Sequence, residues 1–159
     1  MRAPRPHRRC RHDFRRLLAM TTRWRDNDVY GHLNNAVYNE YFDTALNQVL
    51  IEARILDLER SGVIGLVVHS SVHYFAPVSY PDRIEVGVGV AEIGRSSVTY
   101  EFALFREAEA AAAAQGGLIH VYVDRNTRRP VEMSAALRSL LSNLIIETTS
   151  PNSHSQEQA

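Results

Sequence analysis

Asp26, Asp28, His32, Asn34 and Asn35 all fall within positions 26–35, directly ahead of a stretch with helical periodicity. At neutral pH an Asp carboxylate is ionised and can either attack a carbonyl or take a proton from water. The first backbone N–H groups of a helix have no intrahelical acceptor, and they share in a dipole equivalent to roughly half a positive charge. Amides of that kind stabilise the oxyanion of a tetrahedral intermediate. A carboxylate held beside them makes a minimal hydrolytic site, suited to a reactive ester or thioester. A plain amide would need a strong general acid for its poor leaving group, and no residue here is assigned that role. The same residue types also form turns and caps with no further task, so residue type alone leaves both readings open.

Flanking elements must position this loop. From Phe14 on, Leu18, Met20, Thr22 and Trp24 recur at period two, which predicts a first strand. After the loop, Val37/Tyr38, Tyr41/Phe42, Ala45/Leu46, Val49/Leu50 and Ala53 recur every four residues. That spacing predicts a helix to about Arg54, with Asn34 or Asn35 as its N-cap. At 1.5 Å per residue, roughly 20 residues make a rod about 30 Å long, which needs a sheet around it. Strands are predicted over Val63 to Phe75, Ile84 to Val90 and Val98 to Leu104, with a fifth running through Leu118 to Val123. Gly87 and Gly89 inside the third mark a close backbone approach. The tract Ala110 to Ala114 fits a helical turn, a loop or the start of the fifth strand. Asp124 to Pro130 reads as a charged turn, and Ser134 to Ile146 as a short helix capped by Ser134. Short connections between the later strands favour antiparallel pairing in a single α+β domain.

Composition removes whole classes of chemistry. The 159 residues suit one domain. Cys10 is the only cysteine, which excludes a disulfide framework, a CxxC redox pair and a thiolate metal cage within one chain, and points to a reducing compartment. All 18 basic residues are arginine, so Schiff-base chemistry, covalently held pyridoxal phosphate and a Walker-type phosphate loop are absent. No HExxH or GxSxG occurs, and the glycines have the wrong spacing for GxGxxG. His69 and His73, four apart on a predicted strand, lie about 13 Å apart and read as partly buried or groove-lining side chains. His120 reads as a core residue and Glu101 as solvent-exposed. The 18 acids balance the arginines, yet residues 1–25 carry nine arginines against Asp13 alone. Pro4 and Pro6 break any amphipathic helix there, and no aromatics interleave the arginines. Residues 1–12 therefore read as a flexible Arg-rich leader, 13–146 as the domain and 147–159 as a disordered polar tail. No apolar run approaches the ~20 residues that cross a bilayer. A soluble, cytoplasmic protein with no membrane or nucleic-acid partner is expected.

The run Thr22-Arg23-Trp24-Arg25-Asp26-Asn27-Asp28-Val29-Tyr30-Gly31-His32-Leu33-Asn34-Asn35-Ala36-Val37-Tyr38, followed by Tyr41-Phe42, resembles the opening of acyl-CoA thioesterases of the 4-hydroxybenzoyl-CoA thioesterase type. Gly94-Arg95-Ser96-Ser97-Val98-Thr99-Tyr100 and His120-Val121-Tyr122-Val123-Asp124-Arg125 extend the likeness over roughly residues 14–145. The resemblance implies a hotdog fold, a long central helix wrapped by a five-stranded antiparallel sheet. It also implies that chains pair as homodimers or homotetramers, with each active site at the dimer interface. Asp28, the second Asp of the D-x-D, is then the catalytic carboxylate, as general base or as nucleophile through an acyl-enzyme anhydride, with Asp26 supporting it. Gly31 lets the loop turn into the helix, the backbone N–H near Asn35 polarises the thioester carbonyl, and His32 and Asn34 hold the loop or the attacking water. Coenzyme A binds at the surface, with Arg95, Ser96, Arg128 and Arg129 as candidates, because an Arg fork donates two parallel hydrogen bonds to phosphate.

The function so implied is hydrolysis of an acyl-CoA to free acid and coenzyme A, with no metal or redox cofactor. The main alternative is a non-catalytic acyl-CoA binding hotdog protein that keeps the loop for structure. A hotdog dehydratase is disfavoured, since no Glu or His is found at the place expected on its active-site helix. Nucleic-acid binding through the leader would show salt-dependent affinity that disappears without residues 1–12.

Overall fold

The computed structural model describes residues 6–147. Its elements are β1 (Arg16–Thr21), α1 (Val37–Glu52), β2 (Val63–Tyr74), β3 (Arg83–Ile93), β4 (Ser97–Arg106), β5 (Ala114–Asp124) and α2 (Ala135–Ser142). The strands form one antiparallel sheet in the order β1-β3-β4-β5-β2, and α1 lies against one face of it: the hotdog fold. Alternation along the strands sets this up. Ile84, Val86, Val88 and Val90 of β3 and Tyr100, Phe102 and Leu104 of β4 are buried together with the helix stripe of Phe42, Ala45 and Leu46. The Phe42 ring stacks on Phe102 with centroids 5.3 Å apart. Full burial of such a side chain contributes about 1.5–3 kcal/mol, which fixes α1 across the sheet.

The opposite face of the sheet carries its own small core of Phe14, Ala103, Phe105, Ala112 and Ile146. Here the two β3 glycines act as expected. A Cβ on Gly87 would lie 2.6 Å from the Phe14 ring, and one on Gly89 would lie 2.7 Å from Ile146.

The leader expected to be flexible differs most from the sequence reading, because His7 to Asp13 run across this outer face. Gln115 donates to the His7 carbonyl and accepts the Arg9 amide, at 2.9 and 3.0 Å. The Arg9 guanidinium donates to both oxygens of Glu101, at 2.8 and 3.0 Å, and is only 5% exposed. Arg11 pairs with Glu85 and sits over the Phe105 ring. The outward-facing acids of β3 and β4 match the arginines that looked like a solvated run. Glu101, expected in solvent, is therefore half-buried in an ion pair. Positions 1–5 of the leader and 148–159 of the tail lie outside the described residues.

Smaller corrections follow from local bonding. β1 stops at Thr21, and Trp24 falls in a 3-10 turn, 80% exposed, instead of continuing the strand. The N-cap of α1 is Ala36, not Asn34 or Asn35. Ala111 bridges to Cys10 just before β5 begins at Ala114. α2 is capped by Ser134 as expected, its Oγ accepting from the Leu137 amide at 3.1 Å, but it ends at Ser142. The chain then returns beside β3, where the Val90 amide donates to the Leu144 carbonyl and the Val90 carbonyl accepts from Ile146.

β2 pairs only with β5 and forms one edge of the sheet. Val63, Val67 and Val68 are exposed along it. A twelve-residue edge with apolar side chains is a template for pairing with another strand. No helix among the described residues is long and apolar enough to cross a membrane.

Candidate active site

Between β1 and α1 the chain is pinned at two places. The first is Asp26, 1% exposed. Its carboxylate accepts from the Arg23 amide at 2.8 Å, from Arg23 Nε at 2.9 Å and from the Tyr41 hydroxyl in a short bond. Burial alone would push this carboxyl up. The bonds from Tyr41 and Arg23, with the Arg23 charge, outweigh burial and hold it below its ordinary value. Asp26 has no free oxygen to offer a substrate, and it ties the loop to α1. Asp26→Ala is expected to cost about 2–3 kcal/mol, because Tyr41 and the Arg23 amide lose a charged acceptor. A depressed folded pKa means that this contribution is present above the unfolded carboxylate value and is lost as pH falls through the folded one. Thermal unfolding should therefore show stability falling below about pH 4, with a shallower fall in Asp26→Asn.

The second pin is Leu33, buried, whose amide donates to the Val78 carbonyl at 2.7 Å. Between the pins Asp28 and His32 close a tight turn: the Asp28 amide donates to the His32 carbonyl at 2.8 Å, and the Gly31 amide to the Asp28 carbonyl at 3.1 Å. Gly31 has φ +80°, the left-handed region that favours glycine. Ser79 Oγ donates to the Gly31 carbonyl, and the Tyr80 amide to Asn27 Oδ1. Asp28 Oδ1 accepts from the Tyr30 amide at 2.8 Å, whereas Oδ2 has no partner among the described residues. This half-buried carboxylate thus has one oxygen spent on orientation and one open.

At the helix start the Asn34 side chain accepts the Ala36 amide at 3.0 Å, and its carbonyl accepts the Val37 amide at 2.9 Å. Asn34 therefore serves the helix from two residues upstream of the N-cap. The Asn35 carbonyl accepts from the Tyr74 hydroxyl at 3.1 Å, and the Asn35 amide has no acceptor among the described residues. Tyr38, one turn into α1, is buried, and burial followed by the charges of Tyr74 and Asp28 pushes its phenol up to about 12. It remains protonated at neutral pH. Asp28, Gly31, His32, Asn34 and Asn35 are thus gathered at one helix N-terminus, with His32 exposed.

Arg95, Ser96, Arg128 and Arg129 lie elsewhere in the chain. The loop follows Thr21, which pairs with Arg83 at the start of β3, whereas Arg95 and Ser96 form the β3–β4 turn. Eleven residues of β3 separate the two ends by roughly 35 Å. The turn after β5, with Arg128 and Arg129, is at that far end, where the Met133 amide donates to the Arg95 carbonyl and Arg95 approaches Glu132 at 3.8 Å. Tyr41 and Tyr74, whose hydroxyls donate to Asp26 and to the Asn35 carbonyl, have no such role in the sequence reading.

A cavity of about 330 Å³ lies between α1, β2, β5 and α2. Leu50, Ile55, Val63 and Leu137 wall it, and His120 lines it. The expected core placement of His120 holds, at 5% exposed, yet neither ring nitrogen has a partner among the described residues. Burial lowers its pKa, against the pull of Asp43, and keeps the imidazole neutral at neutral pH. His69 is exposed, because edge strand β2 has no outer neighbour, and His73 borders a shallow groove at Gly116 and Gly117. Among the described residues no cluster of three or more His, Cys, Asp or Glu could hold a metal ion.

Residues 22–141 match the Thioesterase-like superfamily. A 1,4-dihydroxy-2-naphthoyl-CoA hydrolase of Synechococcus elongatus is 25% identical over 134 residues, covering 82% of this chain and 94% of that protein. A Pseudomonas aeruginosa protein of known crystal structure is 48% identical, with TM-score 0.87, covering 90% of this chain and all of that one. A Synechocystis 1,4-dihydroxy-2-naphthoyl-CoA thioesterase shares the fold at 17% identity, with TM-score 0.72, covering 80% of this chain and 96% of that one.

Proposed function

The chain belongs to the Thioesterase-like superfamily, and on that premise we propose that it hydrolyses an acyl-CoA thioester, with Asp28 as the catalytic carboxylate and the Asn35 amide in the oxyanion hole. The observation that carries this reading is that one Asp28 oxygen and the Asn35 amide both lack a partner among the described residues, on a loop bonded at both ends. As general base, Asp28 takes a proton from water as the water oxygen attacks the carbonyl carbon. The oxyanion accepts from the Asn35 amide, and collapse expels the coenzyme A thiolate, which takes up the proton from Asp28. As nucleophile, Asp28 forms a mixed anhydride and expels the thiolate first, and water then cleaves the anhydride. A thioester needs no stronger acid than this site contains. The two dihydroxynaphthoyl-CoA relatives support a coenzyme A thioester as substrate. The D-x-D of Asp26 and Asp28 supports the finer assignment to the 4-hydroxybenzoyl-CoA thioesterase type.

The active form is a homodimer, or a tetramer of such pairs, joined through the β2 edge. Two-fold antiparallel pairing would set the Val63 end of one β2 against the Tyr74 end of the other. That brings the Arg95, Ser96, Arg128 and Arg129 end of the second copy towards the Asp28 loop of the first, where those groups would meet the phosphates of coenzyme A. The lone cysteine supports a cytoplasmic setting. The test is a thiol-release screen across short, long, branched and aryl acyl-CoAs. Turnover of at least one class is expected; saturable coenzyme A binding without thiol release would instead favour the binding-protein alternative.

A further inference from the structure

We infer that the Tyr38 hydroxyl is a second donor to the oxyanion, beside the Asn35 amide, which makes Tyr38 a catalytic residue. The inference rests on the hydrolase reading and adds a side chain to its site. Tyr38, Tyr41 and Tyr74 meet at the start of α1, and two of them have their hydroxyls engaged: Tyr41 donates to Asp26, and Tyr74 to the Asn35 carbonyl at 3.1 Å. The Tyr38 hydroxyl makes no hydrogen bond among the described residues, and a buried polar group left in that condition is rare, because its lost hydration is not replaced. Tyr38 is 3% exposed, yet its oxygen is not one of the unpartnered atoms sealed inside the protein, which among the described residues are Asn39 Oδ1 and both ring nitrogens of His120. The phenol is thus buried along its ring and reachable at its tip.

The location supports the same conclusion. A long side chain on a helix leans over the turn N-terminal to its own Cα, and for Tyr38 that turn reaches back to Asn35. The Tyr38 ring packs edge-on against Tyr74, with centroids 5.1 Å apart, and the Tyr74 hydroxyl ends at the Asn35 carbonyl. This contact holds the Tyr38 ring beside the residue whose amide is unspent. Burial, followed by the charges of Tyr74 and Asp28, pushes the phenol up to about 12, so it remains a donor at neutral pH. One backbone amide satisfies only part of a developing alkoxide, and a fixed tyrosine hydroxyl is among the groups that complete such a hole. Tyr38 keeps its proton throughout, so neither route open to Asp28 is altered.

The test is Tyr38→Phe in the full-length protein, which removes one oxygen and keeps the ring against Tyr74. Steady-state thiol release is measured with benzoyl-CoA, hexanoyl-CoA, isovaleryl-CoA and palmitoyl-CoA. With the best of these, kcat is expected to fall by about 10-fold while KM stays within about twofold of the wild type, the pattern of an interaction made only in the transition state. The Asn35 amide remains and accounts for the residual rate. Thermal unfolding and gel filtration should match the wild type, since the hydroxyl bonds to nothing within the described fold. A fall in kcat of less than about threefold overturns the Tyr38 assignment alone, as does a loss carried by KM at unchanged kcat, which marks ground-state binding. A variant that no longer folds overturns it too, because the hydroxyl would then be holding the structure. No thiol release from any of the four substrates by the folded wild type overturns the hydrolase reading and this inference with it.

Discussion

Asp28→Asn is expected to lower kcat/KM for the best acyl-CoA by about 100-fold or more, the range usual for a group that moves a proton or attacks in the transition state. The structure makes this a clean substitution. The only hydrogen bond of the Asp28 side chain among the described residues is the one accepted at Oδ1 from the Tyr30 amide, and an Asn carbonyl oxygen can accept the same bond. The turn closed by backbone bonds between Asp28, Gly31 and His32 does not depend on the charge. Asp28→Ala removes the Tyr30 acceptor as well. A similar rate in the two variants would assign the loss to the missing carboxylate, and a much lower rate in Ala would assign part of it to loop order. Steady-state thiol release with gel filtration on both variants makes the measurement, and turnover near the wild-type level in Asp28→Asn would remove this carboxylate from the mechanism.

The second large effect is expected at the sheet edge. Val68 stands at the middle of β2 and is 61% exposed, beside the irregularity between Val67 and His69. In a two-fold antiparallel pairing a mid-strand residue lies close to its own copy, so Val68→Asp sets two like charges side by side, and like charges directly opposite each other are destabilising. The same position makes no contribution to the inner core, so the fold of each chain should survive. Light scattering at micromolar concentration is expected to show a shift from dimer to monomer, with thiol release falling by about 10-fold or more as the Asp28 loop loses the second copy. A fully active monomer would show that one chain holds a complete site.

Periodicity predicts the elements whose side chains alternate regularly between core and surface. α1 and strands β2 to β4 came within a few residues of the predicted ranges, since alternation and four-residue spacing report directly on burial. The Asp28 loop is legible by composition, and its position ahead of the helix by the same periodicity. Other features depended on partners far away in the chain. The period-two run through Trp24 continues on paper past Thr21, but Asp26, held by Arg23 and by Tyr41 fifteen residues on, folds it into a turn. Arg9 looked solvated because Glu101, its partner, is 92 positions distant. The helix cap was misplaced by one or two residues, because Asn34 acts through its side chain on the Ala36 amide. Residue spacing carries no information on which end of a sheet a turn occupies. Only the topology shows that the turns carrying Arg95 and Arg129 lie at the opposite end of the sheet from the Asp28 loop. Nor can sequence show that a buried histidine lacks a partner.

The segment from His7 to Phe14 has a consequence for how copies can accumulate. Left bare, the outer strands would offer a broad greasy plane on which another sheet could stack back to back. The arginine clasp on Glu101 and Glu85, with Phe14 seated over Gly87, upholsters that plane with charged and already satisfied groups. Stacking on that face is thereby disfavoured, and stripping the clasp would expose a sticky surface without touching the Asp28 loop.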